Sequence, residues 1–207
     1  MTKRIARTVA TDPAFAALRR LESPKQVQDF LDRIPINMER GGETCMSPLL
    51  TLERKKAHCL EGALVAALAL WMNGHPPLLM DLKTTDDDVD HVVTLFRKDR
   101  CWGAITKTNH AVLRYREPIY RSVRELAVSY FHEYFLSSTG KKTLRSYSEP
   151  FDLSRYPDTW ISSAEPLFAL EKAIDRSPHH KLLTRRQIAG LRRADPIEIK
   201  AGKLREW

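Results

Sequence analysis

The segment His58 to Asn73, HCLEGALVAALALWMN, constrains the fold more than any other. Leu60, Ala63, Leu64, Ala67, Leu68 and Trp71 recur at helical spacing, and Ala66, Ala69 and Leu70 fill the remaining circumference. A helix that is apolar all round has to lie inside a domain. Its alanines let other elements approach closely. Asn73-Gly74 supplies a stop, and Pro76-Pro77 forbids continuation. The apolar run from Leu64 to Met72 is too short to span a bilayer, so no membrane role is expected.

The flanking segments change in texture. Asp12-Pro13 and Ser23-Pro24-Lys25-Gln26 read as helix starts. After the second, Val27, Phe30, Leu31 and Ile34 give one apolar face, and Pro35 ends it. Residues 36–50 read as a loop. Beyond the central helix, PLLMDLKTT reads as a buried strand and DDDVD as an acidic turn. HVVTLFRKDRCWGAITKTN then reads as a hairpin turning within Arg97–Arg100. Ser122 to Glu125 is a capping box, and helical spacing continues through Tyr134 towards Gly140. Ser162 to Glu165 and Thr184 to Gln187 predict two more helix starts, the last helix stopping near Asp195-Pro196. The expected class is α+β, with a core over 1–142 and a basic helical extension over 143–207.

Hydrophobic residues make up 43% and charged residues 29% of the 207, which is globular composition. Three cysteines, Cys45, Cys59 and Cys101, make a poor disulfide framework. The N-terminal stretch MTKRIARTVATDP has no apolar leader core. Together these predict a cytoplasmic protein with reduced thiols.

Cys59 falls where the apolar helix begins. There the partial positive charge of the helix terminus favours thiolate. The alternative is a small residue filling the core, the reading taken for Cys45 and Cys101. A nucleophilic thiol also needs a base held by a third group. His91 opens a strand just after a turn and is the candidate base. His58 adjoins Cys59, but neighbours on a helix point about 100° apart, so it is expected to be a poor one. A hairpin centred between Lys98 and Asp99 would set Thr106 opposite His91 on the same face, within reach of the imidazole. Thr108 would be diagonal, Lys107 would point away, and Asn109 is the other candidate orienter.

AHCLEGALVAAL, DHVVTLF and CWGAITKTN, in that order, resemble the transglutaminase-like branch of papain-like cysteine enzymes. They span roughly a quarter of the chain. The resemblance implies a buried helix carrying an N-terminal nucleophilic Cys59, packed on an antiparallel sheet, with His91 as base. The family's third residue, an Asp on the following strand, falls on Thr106, with Asn109 as possible replacement. The implied chemistry is acyl transfer or hydrolysis on a protein, peptide or small amide through a thioester. No cofactor or metal is called for. Cys59 N–H is one expected oxyanion donor; Asn37 and Trp102 are the candidates for a second.

Two further features have other readings. Asp86, Asp87 and Asp88 lack the spacing and closing Glu of a calcium loop. The C-terminal stretch RSPHHKLLTRRQIAGLRRADPIEIKAGKLREW is basic, in a chain of net charge +8. Arg185, Arg186, Arg192 and Arg193 could grip phosphates of a nucleic acid. The alternatives there are a solvated face or a non-catalytic interaction module.

Overall fold

The computed structural model describes Ile5, Val9 and residues 11–206; the N-terminal stretch read for a leader lies mostly outside these. The fold is α+β. Eight α-helices are present among the described residues: α1 (Ala16–Arg19), α2 (Pro24–Asp32), α3 (Pro48–Arg54), α4 (Cys59–Met72), α5 (Val123–Ser129), α6 (Phe168–Asp175), α7 (Arg185–Ala189) and α8 (Pro196–Gly202). Seven strands form one open antiparallel sheet. They are β1 (Leu78–Lys83), β2 (His91–Lys98), β3 (Cys101–Ile105), β4 (Arg116–Tyr120), β5 (Ser146–Ser148), β6 (Phe151–Asp152) and β7 (His179–Lys181). The order runs β4-β3-β2-β1-β5-β7, with β6 also pairing along β1.

Helix α4 lies against one face of this sheet. Leu60 and every residue from Ala63 to Trp71 are buried, in one cluster with Phe15, Leu18, Val27 and Leu31 of the N-terminal helices. Met80, Leu82, Val93 and Leu95 cover the other sheet face, packing with Leu126, Ala127, Tyr130 and Tyr134. Gly62 is where β3's continuation crosses α4: a Cβ there would sit 2.4 Å from the Lys107 Cβ. Lys107 is itself buried, and its Nζ donates to the carbonyls of Leu31 and Ile34 at the end of α2.

Several local expectations need correction. The hairpin turn centres between Asp99 and Arg100, both in the left-handed region with φ 49° and 67°. Lys98 therefore pairs with Cys101, and Thr94 with Ile105, two positions away from the expected register. A slip of two keeps every side chain on its face, whereas a slip of one would not. Helix α5 stops at Ser129 and is followed by a short 3-10 turn, Phe131–Glu133; Tyr134 is extended. Helix α6 begins at Phe168 rather than after Ser162. Asp195-Pro196 does not stop a helix but starts α8, through a capping box with Glu198. Residues 143–207 are not simply a helical extension. They supply β5, β6 and β7 to the common sheet, and Phe151, Leu153, Trp160 and Ile161 to the cluster around α4.

Candidate active site

The start of α4 is pinned from below. Ile36 bridges Ala57 in parallel: Asn37 N–H donates to the Ala57 carbonyl and Ala57 N–H to that of Pro35, both at 3.0 Å. His58 is the N-cap, with extended backbone at φ −87° and ψ −175°. Cys59 is thus the first helical residue and is partly buried. Glu61, fully buried, closes the cap. Its carboxylate accepts from His58 N–H at 3.0 Å, Met46 N–H at 3.0 Å, Thr44 Oγ1 at 2.8 Å and Asn37 Nδ2 at 3.1 Å. A buried carboxylate with four donors is well satisfied.

The imidazoles of His58 and His91 both favour the ionised form of the Cys59 thiol. The 100° argument against His58 fails because an N-cap is not on the helical spiral. Its extended backbone turns the ring back over the helix start, where Nδ1 lies 3.3 Å from Leu60 N and Nε2 lies 2.9 Å from the Thr44 carbonyl. Burial lowers the pKa of this imidazole, but the Cys59 thiolate and Glu61 outweigh that and raise it to about 9. Burial pushes the Cys59 thiol up, and His58 and then His91 overturn this, bringing it down from 9.0 to about 5. An imidazolium donates from both ring nitrogens, so the cap bond from Leu60 N–H belongs to the neutral form of His58.

His91 is buried at the first residue of β2, and its Nε2 lies 2.6 Å from Thr106 Oγ1. Its Nδ1 makes no hydrogen bond among the described residues. Thr106 is reached diagonally across the corrected register, beyond the last paired residue Ile105. It is held by Gln28 on α2, whose amide brackets the Thr106 peptide: Nε2 donates to its carbonyl and Oε1 accepts from its N–H, both at 2.9 Å. Asn109 lines the same cleft as Cys59 and His91, but the group meeting Nε2 is Thr106. Asn37 is committed to Glu61 and Thr44, and Trp102 sits under Arg97 on β3, away from the residues lining the cleft.

Two cavities share Cys59, Val89 and Asp90 in their walls. One, of about 410 Å³, is lined by His91, Thr108, Asn109, His110 and Tyr134 among others. The other, of about 420 Å³, carries six carboxylates, Glu39, Glu43, Asp81, Asp90, Glu171 and Asp175, and no lysine or arginine among its described lining. Asp81, Asp90 and Asp175 bring carboxylate oxygens within 4.8 Å of one another, a set able to take a hard cation. Nitrogen donors already sit beside it: Lys83 Nζ is 2.6 Å from Asp175, and His179 Nε2 is 3.2 Å from Asp81. Burial and then the charge of Asp90 push the Asp81 carboxyl up to about 6, against the pull of His179. Asp86, Asp87 and Asp88 behave otherwise, Asp87 pairing with Lys141 and Asp88 accepting from Thr143 Oγ1.

Of the residues singled out in the sequence, Cys59, His91 and Thr106 come together and Asn109 lies in the cleft wall. His58, Glu61, Gln28 and Tyr134 are additions. The His58-x-x-Glu61 spacing is a capping signal that could have flagged the first two. No protein-family model matches the chain. No curated protein matches it either.

Proposed function

We propose that this protein performs thiol-dependent acyl transfer or amide hydrolysis, with a site of transglutaminase-like type centred on Cys59. The observation that carries the reading is Cys59 at the first residue of α4, in the wall of a cleft that His91 also lines, with Thr106 on the His91 Nε2. The Cys59 thiolate attacks the substrate carbonyl carbon, the C–S bond forms, and the carbonyl π pair moves to oxygen. Collapse breaks the C–N bond, and His91, carrying the proton that left the Cys59 thiol, gives it to the departing amine. Water or a second amine, deprotonated by His91, then releases the thioester. His91 suits the moving proton because its second nitrogen faces only a neutral hydroxyl. His58 suits the fixed charge, since Glu61 and the Thr44 carbonyl hold it as imidazolium. The carboxylates of the second cavity favour cationic amines as leaving or accepting groups. Three unpaired thiols fit a cytoplasmic setting.

Incubation with an activated ester, followed by intact-mass measurement, tests this. The reading expects one acyl group per chain, absent in Cys59→Ala and slowed in His91→Ala. Equal labelling of Cys59→Ala would remove it.

One observation favours a second reading, a nucleic-acid-binding face. A groove of about 750 Å³ is lined by Arg124, Arg145, Lys181 and Arg185 and by no acidic residue among those described. Arg192 is paired with Asp195, and Arg193 donates to the Thr139 carbonyl, so the cations of this reading shift to the groove. It requires binding that weakens steeply with salt and is lost in a Lys181→Ala/Arg185→Ala variant; no retardation at low salt would end it.

A further inference from the structure

Among the described residues lining the cleft, Tyr134 is the one with a buried side-chain polar atom that lacks a hydrogen-bond partner. The residue is 3% exposed, and its hydroxyl finds no hydrogen-bond partner among the described residues. A buried hydroxyl without a partner costs about 1–3 kcal/mol, so such a group calls for a reason. It is not an accident of the core: Tyr134 lines the same 410 Å³ cavity as Cys59 and His91. It arrives from the opposite sheet face to α4, just past the 3-10 turn Phe131–Glu133. Neighbours fix its place, with Tyr134 N–H donating to the Phe131 carbonyl and the Tyr134 carbonyl accepting from Thr143 N–H at 3.1 Å.

We propose that the Tyr134 hydroxyl is a catalytic hydrogen-bond donor to the acyl oxygen of the substrate, completing an oxyanion site with the Cys59 N–H. This rests on the acyl-transfer reading above and names the group that reading lacks. The chemistry fits on three counts. The donor has to be neutral and protonated throughout the working range. Burial first, and then the negative charge of Cys59, hold this phenol well above its ordinary value. The surrounding charges, Asp81, Asp88 and Asp90, also oppose its ionisation. Finally, the missing partner is an acceptor that exists only while substrate is present. When the thiolate adds to the carbonyl carbon, the displaced π pair settles on oxygen, and that oxygen takes the hydrogen bond. When the leaving group departs, the pair returns and the thioester remains.

The test compares two reactions of Cys59 in wild type and Tyr134→Phe. Iodoacetamide alkylates by displacement at carbon and develops no oxyanion. p-Nitrophenyl acetate acylates through one, releasing p-nitrophenolate in a burst. Loss of one preorganised donor should slow the burst about a hundredfold to a thousandfold, with alkylation unchanged. The melting temperature should hold or rise, because the variant deletes an unsatisfied group and no contact partner. An unchanged ratio of acylation to alkylation overturns the assignment while leaving acyl transfer standing. An equal fall in both rates also overturns it, since Tyr134 would then act on the thiolate itself. A wild type that is alkylated but never acylated overturns the acyl-transfer reading, and this assignment with it.

Discussion

Replacing His58 by asparagine separates the imidazole's charge from its duty as helix cap. Asparagine caps well, so α4 keeps its start. Glu61 keeps its donors from Asn37, Thr44, Met46 N–H and the backbone N–H of position 58, so no buried carboxylate is orphaned. What disappears is the larger of the two interactions that bring Cys59 from 9.0 to about 5 against its burial. With only His91 left to oppose desolvation, the thiol should move back up toward its ordinary value. At about pH 6 the thiolate fraction then drops from nearly complete to about a tenth or less, while above about pH 9 the two proteins converge. The assay is the pseudo-first-order rate of iodoacetamide labelling across pH, normalised to its high-pH plateau. A rate at pH 6 at least tenfold lower, with the midpoint moved upward, is the expected result. Superimposable profiles would refute the reasoning and leave His91 as the sole activator of Cys59.

The ion pair also predicts a stability profile. The thiol's folded pKa is depressed, so its contribution is lost as pH falls through about 5, while His58's is raised, so its contribution is lost as pH rises through about 9. Unfolded His titrates near 6.5, so the two slopes cancel above it; melting temperature relative to Cys59→Ala should climb from pH 5 to about 6.5 and then level, and a monotonic fall over that range would contradict the pairing. Gly62→Ala drives a Cβ to 2.4 Å from the Lys107 Cβ and should cost about 1–3 kcal/mol in chemical denaturation; a neutral result would mean that the crossing there is looser than described. Gln28→Ala removes both bonds to the Thr106 peptide. Beyond a stability loss of about 2 kcal/mol, it should lower the acylation rate more than the alkylation rate by freeing His91, and equal effects would confine Gln28 to a structural role.

What was legible in the sequence was local. An all-apolar helix, a cysteine at its start and a histidine opening a strand are read from neighbouring residues, and the structure puts them where those signals point. Thr106 met His91 despite a misplaced turn, because the error was even and preserved the face. The turn itself gave little warning: Arg100 adopts a left-handed conformation that favours glycine or asparagine. The remaining parts depend on distant chain. Gln28 reaches Thr106 across 78 positions, and Tyr134 comes from the opposite layer. The acidic cavity gathers Glu39 from a loop, Asp81 from β1 and Asp175 from α6, and no local pattern announces their meeting. The strands β5 to β7 are two or three residues long, too short for alternation to show.

The central claim is that the Cys59 sulfur is ionised in the folded protein well below the ordinary thiol range. The ultraviolet absorbance of thiolate, titrated in wild type and subtracted from that of Cys59→Ser, measures this directly. The account predicts one thiolate with a midpoint near 5. A difference signal that first rises around the ordinary cysteine value of about 8.5 would contradict it.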